Sequence, residues 1–232
     1  MRSPYQELKE QAWAANQEIP RRGLAIYTFG NASAFDRARG VLAIKPSGVA
    51  YDVLSVDDMV VLDLEGRAVE GKLRPSSDTP THVVLYRAFE GVAGVVHTHS
   101  TYATGWAQAR LPIPIYGTTH ADHLPEDVPC TAVMTDAAVE RDYEVETGNQ
   151  ILECLRGRDP HRTPAVLVAG HGVFTWGESA AKAVYHAAVV EELAHMAFVT
   201  RTIDPVAARL PERIVRKHFE RKHGKTAYYG QG

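Results

Sequence analysis

The sequence predicts an α+β fold of the α/β class: one domain over residues 1–232, with a central, mainly antiparallel β-sheet flanked by α-helices. Three observations predict it. Short apolar runs arrive in groups before a helical pattern follows, which argues against regular strand–helix alternation and a doubly wound parallel sheet. No repeat, low-complexity tract or linker divides the chain. Its 232 residues, 45% hydrophobic, are enough to bury a sizeable core.

The elements follow in order. Ser3-Pro4 offers an N-cap and a first-turn proline, and Leu8, Ala12, Ala15 and Ile19 recur at helical spacing, so a helix is expected over Pro4 to Arg21. Ala25 to Thr28, Ala32 to Phe35 and Val41 to Ile44 read as short strands between glycine turns, and Met59 to Asp63 as another before Glu65-Gly66. Thr79-Pro80 caps a helix reaching about Phe89. Val92 to His97 is a buried strand, and Ser100 caps the next helix, to about Ala109. Val145 to Leu155 is helical, with Gly157 past its end. Ala165 to Ala169 and Val173 to Thr175 are strands about a turn at His171. Ser179 to Thr202 is a long helix and Pro211 to Lys222 the last, before the tail Ala227-Tyr228-Tyr229-Gly230.

A net charge of −3 leaves no electrostatic footprint for nucleic acid or an anionic membrane. The basic cluster from Arg213 to Lys225 is broken by His, Phe and Glu, and reads as an exposed helix face or a local anion site. Two cysteines, Cys130 and Cys154, make no disulfide framework and are expected to be reduced. No run is apolar enough to span a bilayer, and Met1 to Glu10 is too polar for a signal peptide, so a soluble cytoplasmic protein is expected.

The chemistry concentrates in a few motifs. His97-Thr98-His99 closes the apolar run Val92 to Val96. Strand alternation sends residues i and i+2 to one face, so two imidazoles leave the strand end together, a bidentate grip for a transition metal. An isolated pair is as well read as a solvated strand end. His171, in Gly170-His171-Gly172 after Ala165 to Ala169, and Asp78, in Pro75-Ser76-Ser77-Asp78, add two candidate ligands. Three histidines and a carboxylate suit zinc, cobalt or manganese. His120 and His123 lack the strand-end setting. The turns Phe29-Gly30-Asn31 and Lys45-Pro46-Ser47-Gly48, and Ser76-Ser77 before a helix start, have the composition of phosphate-binding backbone nests. None matches a nucleotide fingerprint. Asp122, among Thr118, Thr119, His120 and His123, can serve as a general acid or base, although spacing alone favours a turn aspartate. Tyr228 and Tyr229 in the tail hint at docking on a neighbouring subunit.

Nearly end to end, the chain resembles the L-ribulose-5-phosphate 4-epimerase family of the class II aldolase and adducin-like superfamily. The resemblance rests on Gly30-Asn31-Ala32-Ser33, Ile44 to Val49, Pro75 to His82, Val96 to Ser100, Gly117 to Asp122, Glu146 to Asn149, Gly170-His171-Gly172, Lys222-His223-Gly224 and Tyr228 to Gln231. It departs from the family pattern at Ala169-Gly170, Val173 and His123. The resemblance implies Zn2+, or another divalent ion such as Mn2+ or Co2+, on Asp78, His97, His99 and His171. It implies substrate contacts from Gly30, Asn31, Ser47, Gly48, Ser76 and Ser77, with Asp122 and Tyr229 as the proton-transfer pair. It places His218 and Arg221 near the same site. It implies a homotetramer with active sites between subunits and a sugar-phosphate substrate; L-arabinose catabolism is the expected setting, and an ascorbate or xylulose route uses the same chemistry. Asp78 is the discriminating residue, because the superfamily's aldolases carry glutamate there. An aldolase that releases its fragments, and a non-catalytic scaffold or structural metal site, are the competing expectations.

Overall fold

The sheet is built from strands with two unlike faces. In the computed structural model, which describes residues 2–224, 227 and 228, the strands are β1 (Gly30–Asp36), β2 (Val41–Ile44), β3 (Val60–Asp63), β4 (Ala68–Glu70), β5 (Gly94–Thr98), β6 (Ala165–Val168) and β7 (Gly172–Gly177). Among the described residues they form one seven-stranded sheet in the order β4-β3-β2-β1-β5-β7-β6. Every pairing is antiparallel, as expected from the grouping of the strands. The helices are α1 (Gln6–Arg21), α2 (Thr79–Ala88), α3 (Thr101–Ala109), the short α4 (Thr118–Ala121), α5 (Asp136–Cys154), α6 (Ala180–Ile203) and α7 (Glu212–His223).

One face carries Ala32, Ala34, Ala43 and Val96, small enough for α1 and α6 to approach through Ala12, Ile19, Ala183 and Ala187. The opposite face carries Phe35, Val95, Phe174 and Trp176, covered by Val83, Leu85 and Tyr86 of α2 and Ile151 of α5. Helix α3 and the later part of α6 close the β6–β7 end through Ala103, Ala107, Leu193 and Leu167. No described helix is long and apolar enough to cross a membrane. Cys130 and Cys154 are free thiols, and burial raises both, Cys130 to about 11.

Three expectations need correction. Ala25 to Thr28 is not a strand: Ile26 and Tyr27 are exposed, Tyr27 takes φ 52°, and Phe29 N–H bonds back to Ile26 O. Both edges of β1 are already taken by β2 and β5, so this segment has no ladder to join. Helix α5 starts at Asp136 rather than Val145. Its periodicity breaks at Asp142, where the backbone is extended (φ −168°, ψ 96°) and the side chain accepts from Val145 N–H. Asp142 thus starts a second helical segment, the part legible in the sequence.

The third correction concerns the start of α3. Ser100 occupies the N-cap position but makes no side-chain cap bond. The orphan amides are satisfied from α6 instead: Glu191 accepts from Tyr102 N–H at 2.8 Å and Ala103 N–H at 2.9 Å. A carboxylate there also opposes the positive end of the helix dipole. Helix α3 follows directly on His97 and His99, so this cap anchors the strand end that carries them. Glu191→Ala is expected to cost about 1–2 kcal/mol, and Glu191→Gln clearly less. Thermal unfolding of the two variants beside the parent checks this.

Candidate metal centre and substrate cavity

Strand register assembles the centre. Across three strands Asn31 of β1 lies opposite His97 of β5, and His97 opposite Phe174 of β7. His97 Nδ1 donates to Val173 O at 3.0 Å. Because a carbonyl only accepts, Nδ1 carries the proton and Nε2 is left as a bare lone pair. The Phe174 ring stacks on His97 at 4.3 Å and 17°. Two residues on, His99 turns the same way, and its Nε2 lies 3.0 Å from His97 Nε2. His171, in the β6–β7 turn, brings its ring centroid to 4.7 Å from His97 and 5.0 Å from His99. The ligand atoms of all three lie within 4.8 Å of one another.

These residues fit a tetrahedral divalent cation. Bonds of about 2.0–2.1 Å at tetrahedral angles set neighbouring nitrogens about 3.3 Å apart, close to the 3.0 Å between His97 and His99. Burial pushes His97 down to about 4 and lowers His99 and His171, so the imidazoles are neutral ligands at neutral pH. Asp78 sits at the N-cap of α2 without capping it, and its carboxylate instead accepts from Asn31 Nδ2 at 2.6 Å. Burial would raise its pKa, but His97, His82 and the Asn31 amide outweigh that and hold it below the usual carboxylate range. A nitrogen–carboxylate set without thiolate suits zinc, cobalt or manganese.

All four lie on one cavity of about 470 Å3, and Gly30, Asn31, Ser47, Gly48, Ser76 and Ser77 line it too. The two serine turns are stitched together: Ser47 N–H donates to Arg74 O at 2.9 Å, and Ser76 N–H to Lys45 O at 3.0 Å. Sequence reasoning left Lys45 out of the site. It is 2% exposed, yet it lines the cavity, with Nζ 5.1 Å from the Tyr51 ring centroid. Its Nζ donates to Pro46 O at 3.3 Å, and among the described residues no carboxylate pairs with it. A buried cation beside serine-rich turns is a ready counter-charge for a phosphate. Tyr143 was also missed: its Oη lies 3.4 Å from His171 Nδ1. It follows the Asp142 break in α5, which periodicity does not reveal.

Asp122 does not line this cavity. It ends α4 and faces α7, where it accepts from His218 Nδ1 at 3.0 Å and from Arg221 Nε and Nη2 at 3.0 and 2.8 Å. Its backbone carbonyl accepts from His223 Nε2 at 2.9 Å. Burial would raise this carboxyl too, but Arg221 and His218 outweigh it and hold Asp122 ionised. The structure therefore unites Asp122 with His218 and Arg221, apart from the imidazoles. Tyr229 lies outside the described residues. His120 and His123 stay away from the metal set, bonded to Glu126 O at 3.1 Å and Tyr185 Oη at 3.2 Å.

Comparison with known proteins places the fold in a family. Residues 10–198 match the family described as Class II Aldolase and Adducin N-terminal domain. The chain is 51% identical over 226 residues to the L-ribulose-5-phosphate 4-epimerase UlaF of Salmonella paratyphi B, covering 97% of this chain and 99% of that one. The same figures hold for the protein of that name from Salmonella typhi. An L-fuculose 1-phosphate aldolase superposes with a TM-score of 0.79 at 26% identity, over 93% of this chain and 95% of that one. The L-fuculose 1-phosphate aldolase from Glaciozyma antarctica PI12 shares the fold, with a TM-score of 0.76 at 19% identity over 97% and 85% of the two chains.

One position tests how tightly the imidazoles are packed. A Cβ on Gly172 would sit 2.7 Å from Thr98 O and 3.1 Å from His97 Cε1. Gly172→Ala must therefore displace the strand end or the ring. It is expected to weaken Zn2+ binding by about 10-fold or more while the fold survives, as read by chelator competition beside circular dichroism.

Proposed function

This chain belongs to the class II aldolase and adducin family, and on that premise we propose that it is a metal-dependent L-ribulose-5-phosphate 4-epimerase. It would interconvert L-ribulose 5-phosphate and D-xylulose 5-phosphate by breaking and re-forming the C3–C4 bond. One observation carries the reading: neutral His97, His99 and His171 share a cavity with Asp78, the two serine turns and an uncompensated Lys45. Such a cavity suits a ligand with oxygen donors at one end and a phosphate at the other. Aspartate at position 78, too short to reach far beyond its bond with Asn31, supports a ligand role over proton transfer to substrate. That favours the epimerase over an aldolase that releases its fragments.

The C4–H bond is not acidic, so inversion there needs carbon–carbon cleavage. A bound divalent cation supplies Lewis-acid stabilisation of the charge that develops on the carbonyl side of the broken bond. Lys45, the backbone N–H groups of Gly48 and Ser77, and the hydroxyls of Ser47, Ser76 and Ser77 anchor the phosphate. One member of the Asp122 and Tyr229 pair takes the C4 hydroxyl proton, and the C3–C4 electron pair passes to the three-carbon fragment. The products of cleavage are glycolaldehyde phosphate and the enediolate of dihydroxyacetone. The anchored aldehyde rotates, presents its other face and is attacked again, and the second member of the pair protonates the new C4 oxygen. Anchoring keeps the fragments at high effective concentration. Asp122 lies outside its own chain's cavity, which supports active sites between subunits, with Tyr229 reaching a neighbour in a homotetramer. We place the enzyme in cytoplasmic pentose catabolism, with L-arabinose breakdown as the setting.

NMR of the product mixture from L-ribulose 5-phosphate and metal-loaded protein tests the reading. D-xylulose 5-phosphate without accumulated fragments is expected. Free glycolaldehyde phosphate and dihydroxyacetone would make it an aldolase instead. Asp122→Asn and Tyr229→Phe are each expected to lower kcat by roughly 100- to 10,000-fold with metal content unchanged. Normal turnover in both would remove these roles.

A further inference from the structure

Strand β1 and helix α2 meet through a ladder of polar and aromatic pairs. Alternate residues of β1 are about 6.6–6.8 Å apart, and every fourth residue of a helix about 6.0 Å apart, so the two repeats nearly match. Asn31 meets Asp78 at 2.6 Å. Ser33 Oγ meets His82 Nδ1 at 2.7 Å and Tyr86 Oη at 2.7 Å. Phe35 stacks on Tyr86 at 4.6 Å and 24°. The first rung carries Asp78, which lines the cavity with the three clustered imidazoles and is the carboxylate proposed to join them on a metal.

The middle rung is the unexpected one. Ser33, His82 and Tyr86 are all 0% exposed, on a face otherwise packed by Val95, Leu85 and Trp176. Burial keeps His82 neutral, pushed down to about 3. One proton assignment satisfies every donor: Nδ1–H of His82 donates to Ser33 Oγ, the Ser33 hydroxyl to Tyr86 Oη, and Tyr86 to Ser33 O at 3.2 Å. It leaves His82 Nε2, which has no partner among the described residues, as a lone pair rather than a stranded N–H. Apolar contacts would hold α2 against the sheet with some freedom to slide, whereas directional bonds of 2.7 Å fix one register. His82 also meets the edge of Phe174 at 6.1 Å and 73°, and Phe174 is the ring stacked on His97.

We propose that His82 and Ser33 are positioning residues for the metal centre: their buried bond fixes the register of α2 on β1 and so holds Asp78 beside His97. The inference rests on the metal-centre reading above. Neither residue touches the metal; both act through Asp78.

The test is Co2+ binding, followed by chelator competition and the visible absorption of the cobalt complex. The proteins are the parent chain, Ser33→Ala, His82→Leu, His82→Asn and Asp78→Ala. Ser33→Ala and His82→Leu are expected to weaken Co2+ by about 10- to 100-fold, with a spectrum shifted toward that of Asp78→Ala. His82→Asn, which keeps a donor near the Nδ1 position, is expected to return affinity to within a few-fold of the parent. In the Asp78→Ala background, Ser33→Ala is expected to change Co2+ affinity less than about twofold, because residues acting through one another are not additive. A general loss of packing would add in full. Should His82→Leu fail to fold, the Ser33→Ala cycle decides alone. Parental Co2+ affinity and spectrum in Ser33→Ala, or full additivity with Asp78→Ala, would overturn the inference. A parent chain that takes up no Co2+ would overturn the metal-centre reading itself, and this inference with it.

Discussion

The site depends on a row of three residues, Asn31, His97 and Phe174, set opposite one another by the antiparallel registers of β1, β5 and β7. A slip of one residue in either pairing would turn His97 to the wrong face of the sheet. What prevents the slip is the core. Val95 and Trp176 must face α2 and α5, while Ala32 and Val96 must face α1 and α6. The hydrophobic effect thus fixes the register, the register places His97, and Val173 O fixes which nitrogen faces the cavity. The sheet register positions His97, while His99 and His171 join it from just past the end of β5 and from the β6–β7 turn.

Charge is divided within the cavity. At one end burial keeps three imidazoles neutral and Asp78 is held ionised, a set that would neutralise half of a divalent cation's charge. At the other end Lys45 is buried with the Pro46 carbonyl and the Tyr51 ring beside it. Burial lowers its pKa, so an arriving dianion would restore what desolvation takes away. Among the described residues Lys45 bonds to the Pro46 carbonyl and Asp78 to Asn31, and no ion pair joins the two. A ligand with oxygen donors at one end and a phosphate at the other would match both ends.

The sequence was legible where function follows from strand period or turn chemistry. His97 and His99 share a face because a strand alternates, His171 follows an apolar run into a glycine turn, and the serine turns carry their own composition signal. It was illegible where a residue's role depends on a partner far along the chain. Ser33 and His82 look like an ordinary strand serine and a mid-helix histidine, and only the packing of α2 on β1 joins them across 49 positions. Likewise Ser100 looked sufficient as a cap, but the cap bonds come from Glu191, 88 and 89 positions away. Strand β4 was missed because it is three residues long and mostly exposed, so it shows no apolar alternation. Ala25 to Thr28 had strand-like residues, but both sides of the adjoining β1 are already paired, a tertiary fact that local pattern does not contain.

The remaining question is why the carboxylate we propose for proton transfer should be bound so heavily. Asp122 accepts three side-chain bonds from Arg221 and His218, and so it rests ionised. A tyrosine, with an ordinary pKa of about 10, rests protonated. An epimerase needs this opposition: one group must be ready to take a proton and the other ready to give one before substrate arrives. Had Asp122 stood in an apolar pocket, its pKa would have risen and both groups would have rested protonated. The bonds from α7 therefore set a protonation state as much as a position. They cost Asp122 basicity, but the alkoxide it helps to form collapses at once to an aldehyde as the C3–C4 bond breaks. A modest base is sufficient for a proton whose loss is coupled to cleavage.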